Sequence, residues 1–110
     1  MRIKGISLAA VAALIFAGPA FAADPAKGKQ TFIRVGCWEC HGFEGQGGTG
    51  PKLAPGPLAA PALKAFVRTT SGDMPAFTAK VLSDADLDDI YAYLQSIPKS
   101  PDPKTIPLLQ

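Results

Sequence analysis

Residues 37–42 read Cys37-Trp38-Glu39-Cys40-His41-Gly42, and this hexapeptide holds both cysteines and the single histidine of a 110-residue chain. Two cysteines three apart with a histidine beside them fit three chemistries. They can form a thiol–disulfide pair, supply part of a metal site, or anchor a larger group. The rest of the sequence bears on which of the three applies.

A redox pair of the thioredoxin kind sits beside a βαβ pattern, and no stretch of this chain alternates apolar and polar residues as a strand does. Structural zinc takes four cysteine or histidine ligands. Only three are available here, crowded within five residues, and no carboxylate is placed to complete the set. The third chemistry is covalent haem. Each cysteine forms a thioether with one vinyl group and the adjacent histidine reaches the iron from one face, so that C-x-x-C-H is the attachment signature of c-type haem. Spacing, helical context and the lack of partners for the other two favour it.

Residues 1–22, MRIKGISLAAVAALIFAGPAFA, have the layout of a cleaved secretory signal peptide. Arg2 and Lys4 make a basic start, Ile6 to Phe16 an uncharged, mostly apolar run, and Ala20-Phe21-Ala22 a small-residue end. The apolar run is short for a bilayer span. Cleavage after Ala22 leaves a neutral mature chain, because two of the eleven basic residues depart and nine remain against nine acidic ones. Neither nucleic acid nor an anionic membrane finds the basic patch it requires. Export also suits covalent attachment, which keeps a cofactor in place outside the cytoplasm.

Length allows one small domain, expected at residues 23–98, with a Pro-rich tail at 99–110. A mature chain this short, rich in alanine, needs a staple for its core. Asp24 followed by Pro25 is an N-cap with proline at the first helical position, opening a helix in which Phe32 and Val35 share a narrow face with Gly28. Residues 42–57, GFEGQGGTGPKLAPGP, are mostly glycine and proline, a loop long enough to suggest that it wraps something. Leu63, Phe66, Val67 and Thr70 follow helical spacing, with Gly72 past the end. Ser83 and Asp86 bracket a further helix start, and Leu87, Ile90, Tyr91, Leu94 and Ile97 form the clearest amphipathic stripe before Pro98 stops it. The stretch PKSPDPKTIPLLQ is expected to be extended rather than helical. The fold class expected is all-α, three to four short helices with loops.

Six-coordinate haem needs a ligand on its other face, and there is no second histidine. Apart from Met1 the only methionine is Met74, 33 residues after His41 in the irregular stretch GDMPAF. A methionine more often fills a gap in a core; here the cofactor's demand makes ligation the favoured role.

The ordered set G-x-x-x-F at Gly28 to Phe32, CWECH, GTGPKL around Pro51, GDMPAF around Met74 and LSDADLDDIYAYL resembles a small class I mono-haem cytochrome c over residues 24–98. The resemblance implies thioethers at Cys37 and Cys40, iron ligation by His41 and Met74, and a bond from the other His41 ring nitrogen to the Pro51 carbonyl. It also implies that Gly28 and Phe32 meet Ile90 and Tyr93 where the first and last helices cross, around one haem c against which Phe66, Leu53 and Leu94 pack. Arg68 and Lys52 are candidate propionate partners. Trp38 is expected to be a partly exposed aromatic on the haem-bearing turn, and the acidic run Asp84 to Asp89 a solvated helix start.

His–Met ligation leaves no open position for substrate, so the expected role is a periplasmic one-electron carrier rather than an enzyme. It would act free or as the electron-accepting cytochrome subunit of a periplasmic dehydrogenase, passing electrons to a respiratory-chain component, without stable membrane insertion. The tail, with Ile106, Leu108 and Leu109 on a pre-extended segment, either docks on such a partner or frays. The alternative is a haem-based gas sensor or peroxidase-like enzyme in which Met74 is displaced.

Overall fold

A computed structural model describes residues 22–56 and 58–110. The expected signal peptide falls on residues 1–21, outside the described residues, apart from its last position. Four α-helices follow one another: α1 (Pro25–Arg34), α2 (Cys37–His41), α3 (Ala60–Thr69) and α4 (Asp84–Ser96). No strand occurs among the described residues, and no described helix is long and apolar enough to cross a membrane.

Local chemistry sets the helix starts. The Asp24 carboxylate accepts from the Ala26 and Lys27 backbone N–H groups, satisfying donors that the first turn leaves without intrahelical partners, and Pro25 supplies a residue with no N–H to satisfy. At α4, Ser83 accepts from the Asp86 N–H while the Asp86 carboxylate accepts from the Ser83 N–H, a reciprocal capping box. Hydrogen bonding to Ser83 holds the Asp86 carboxyl below the usual carboxylate range. Ile97 ends α4 in extended backbone ahead of Pro98, which disfavours helix in the residue before it.

The core lies between α1, α3, α4 and the loop after α2. Phe32, Leu82, Leu87 and Leu94 are its largest fully buried side chains, joined by Val67, Ile90, Tyr93 and Ala54. Helices α1 and α4 cross where Gly28 meets the Asp89 carbonyl, because a Cβ on Gly28 would overlap that backbone. Beside it Phe32 and Tyr93 pack edge to face, with centroids 5.7 Å apart. Tyr91, read as part of the apolar stripe, is only half-buried.

Two expectations need correction. The tail is not simply extended. Residues Pro103–Thr105 and Pro107–Leu109 form short 3-10 turns. Each opens on a proline, whose fixed φ suits the first position of a turn, and the Asp102 carboxylate accepts from the Lys104 N–H. The acidic start of α4 is not a uniformly solvated run either. Asp89 is buried, only 7 % exposed, accepts from the Asp24 N–H at 2.7 Å and pairs with Lys27 at 3.1 Å. Asp84 and Asp88 pair with Arg68 and Lys64 of α3.

Candidate functional site

Helix α2 is the CWECH segment itself. It begins after Gly36, whose φ of 84° lies in the left-handed region that favours glycine. One helical turn puts Cys37 and Cys40 on the same side at i and i+3. Both thiols are free, Cys37 half-buried and Cys40 exposed. Burial pushes the Cys37 thiol up to about 11. A thiol exchanger needs a thiolate near neutral pH, so this environment argues against the disulfide-exchange reading. Among the described residues no group of three or more histidine, cysteine or acidic side chains is arranged to hold a metal ion.

The glycine-rich loop wraps back over α2. The N–H groups of Gly42, Gly50 and Gly47 donate to the carbonyls of Trp38, Cys40 and His41, each at 2.8 Å. These bonds satisfy the acceptors that the end of so short a helix leaves open. The loop holds itself through Gly45, whose carbonyl accepts from Leu53 and Ala54. Its rim is tied to α4 by the Tyr93 hydroxyl, which donates to the Phe43 carbonyl at 2.7 Å. Trp38 stacks on Phe43, with centroids 4.4 Å apart and planes 13° off parallel, and is partly buried as expected.

His41 is buried, only 7 % exposed, and its Nδ1 lies 2.8 Å from the Pro51 carbonyl. A carbonyl only accepts, so Nδ1 carries the proton and a neutral ring presents its lone pair at Nε2. Nε2 has no hydrogen-bond partner among the described residues. Gly50 permits this arrangement, since a Cβ there would come within 2.9 Å of Nδ1 and 2.8 Å of Cε1. Sequence reasoning did not single out Gly50; its signal was the GTGP run immediately before Pro51.

Met74 lies on a separate segment after α3, half-buried against the same apolar cluster that Cys37 and Trp38 pack on. The structure thus brings Cys37, Cys40, His41 and Pro51 into one unit and sets Met74 on the wall formed by the shared core. Of the residues expected around a cofactor, Leu94 is buried, Leu53 is half-buried, and Phe66 is 51 % exposed. Neither propionate candidate is idle. Arg68 donates from Nη1 to the Phe77 carbonyl at 3.0 Å and from Nη2 to Asp84 at 2.6 Å, while Lys52 reaches the Ser100 hydroxyl at 3.4 Å.

A histidine oriented by a carbonyl with its other nitrogen open, beside two unpaired thiols on one helical turn, fits a covalently held haem. Comparison with known proteins agrees. The family model described as cytochrome C oxidase, cbb3-type, subunit III matches residues 23–94. The chain is 39% identical over 75 residues to the cytochrome c2 of Rhodobacter capsulatus, an alignment covering 68% of this chain and 52% of that protein. It therefore spans about half the length of this curated relative. No solved structure matches. The helical architecture, the CWECH turn with its locked histidine and these two matches together show that the chain belongs to the small class I c-type cytochromes, a family that carries one covalently bound haem c.

Proposed function

We propose that the protein is an exported one-electron carrier, in which a haem would be held by thioethers to Cys37 and Cys40 and its iron ligated by His41 and Met74. The bound haem supplies one-electron exchange at its iron. The chain's residues orient and shield it. Pro51 fixes the His41 tautomer and ring plane, so Nε2 is ready to ligate without reorganising. Met74 would supply a soft thioether, a ligand type that raises the reduction potential. The loop over α2 and the core of α1 and α4 keep water from one side of the site. The observation that carries the reading is the His41 Nδ1 to Pro51 bond on a buried imidazole.

The expected location is the periplasm, motivated by the signal-like residues 1–22. Both the free carrier and the cytochrome subunit of a dehydrogenase are compatible with the domain, and the tail separates them experimentally. Carbon monoxide separates the carrier from a gas sensor or peroxidase-like enzyme. Reduced native protein at neutral pH should bind it slowly or not at all, whereas Met74→Ala should bind it readily, lose the weak sulfur-to-iron band at the red end of the spectrum and show a lower potential. Rapid binding by the native protein would favour the sensor or enzyme. An unchanged Met74→Ala spectrum and potential would mean that another group holds the position.

A further inference from the structure

The segment carrying Met74 packs its thioether against the core but is held by no hydrogen bond of its own. Among the described residues, positions 71–76 make no hydrogen bond of any kind. Gly72 turns the chain at a φ of 100° with open space around it. The segment leaves α3 at Thr70, whose N–H bonds back to Phe66. It is caught again only at Phe77, by two bonds to the end of α3. The Phe77 N–H donates to the Val67 carbonyl at 2.9 Å, and the Phe77 carbonyl accepts from Arg68 Nη1 at 3.0 Å.

The two bonds differ in kind. The backbone bond is an ordinary neutral one, while the Arg68 bond is charge-assisted, partly buried and roughly twice as strong. The other guanidinium nitrogen pairs with Asp84 at the start of α4. Asp84 is 71% exposed, so that pair contributes little by itself. It orients the planar fork so that Nη1 points at the Phe77 carbonyl. Arg68 thus joins α3, the Met74 segment and α4 at one point.

We propose that Arg68 is a positioning residue for Met74. By clamping Phe77 it closes the loop of which Met74 is the middle, and so keeps the thioether at the iron. The proposal rests on the reading of Met74 as axial ligand. The two bonds at Phe77 are the only hydrogen-bonded closure of this loop. Without the stronger one a single neutral bond remains, so loss of the Arg68 bond should raise the population in which Met74 has left.

The test uses reduced holoprotein with carbon monoxide as the probe, comparing the native chain with Arg68→Met, Arg68→Lys, Asp84→Asn and Met74→Ala. Arg68→Met keeps an apolar stem without donors and should bind carbon monoxide about tenfold faster, the factor one lost charge-assisted bond produces. Its sulfur-to-iron band should weaken while the haem stays covalently attached. Arg68→Lys has a single compact charge that cannot hold Phe77 and Asp84 together, and should fall between. Asp84→Asn keeps an oxygen that accepts from Nη2 and so keeps the fork oriented, and should stay within about twofold of native. A rise as large as that of Arg68→Met would mean that the ion pair, and not the Phe77 bond, holds the loop. Native rates in Arg68→Met, with Met74→Ala open, would overturn the clamp and leave the ligand assignment standing. A lower melting temperature without faster binding would equally overturn it, since that is an ordinary structural bond. An unaltered Met74→Ala spectrum would overturn the ligand reading and the clamp together. Should Arg68→Met fail to mature, Arg68→Lys decides: binding faster than native supports the clamp, and equal rates refute it.

Discussion

Gly28 of α1 lies directly against the Asp89 carbonyl of α4, close enough that an added Cβ would overlap that carbonyl and come within 2.8 Å of the Ile90 nitrogen. Two effects of Gly28→Ala therefore oppose each other. Alanine in place of a mid-helix glycine gains about 1 kcal/mol of helix propensity. Forcing two backbones apart costs about 3 kcal/mol, because neither can swing away as a side chain would. Overlap wins. Gly28→Ala should lower the melting temperature by on the order of 15 °C, measured on holoprotein by absorbance or circular dichroism. A rise would mean that the helices do not cross at this point.

Asp89 is the second tie between the same helices, and it gives stability a pH dependence. The Asp24 N–H, then Lys27, hold its carboxyl below the usual carboxylate range. The folded state thus binds its proton less readily than the unfolded chain. The stabilisation is present above the ordinary carboxylate range, about pH 4, and is lost as pH falls through the lower folded-state value. Asp89→Ala should cost about 2 kcal/mol near neutrality, mostly through loss of the charge-assisted bond from the Asp24 N–H. Its acid unfolding should be shallower than that of the native protein. Parallel stability curves from pH 6 to about pH 3 would show that Asp89 is not a linked group.

The tail offers a separate test of partner binding. Leu108 and Leu109 are exposed at 94% and 64%, and the hydrogen bond described between the tail region and the domain is the long one from Lys52 to Ser100. Deleting residues 100–110 should leave spectrum, potential and melting temperature nearly unchanged. In an enzyme subunit it should weaken association with the partner dehydrogenase and slow reduction by it. Equal affinity and equal rates would indicate a free shuttle. A large loss of stability in the isolated protein would place the tail in the domain's own packing.

The features legible from sequence are the ones made by near neighbours. Asp24 with Pro25, Ser83 with Asp86, and the CWECH turn each involve residues within a few positions, so their chemistry is written in order along the chain. Gly28 was legible as a close approach because a glycine inside a helix is costly without one. Asp89 was not. Within an acidic run it reads as surface, and only a backbone N–H 65 residues away makes it buried. Arg68 was equally opaque, because its partners Phe77 and Asp84 are brought to it by the fold. Tyr93 was read from the resemblance and not from periodicity, because it falls between the positions of the chosen stripe. The 3-10 turns of the tail are not legible from sequence, because proline density argues against α-helix while leaving tighter turns open.

The central claim, that CWECH carries one covalently held haem, is tested most directly by the mass of the denatured chain. Purified protein should be unfolded in acid, extracted with organic solvent and weighed intact. The colour should remain on the polypeptide, and its mass should be that of the chain plus one haem, with no free thiol at Cys37 or Cys40. Colour passing into the solvent, with a bare chain and two reactive thiols left behind, would contradict it.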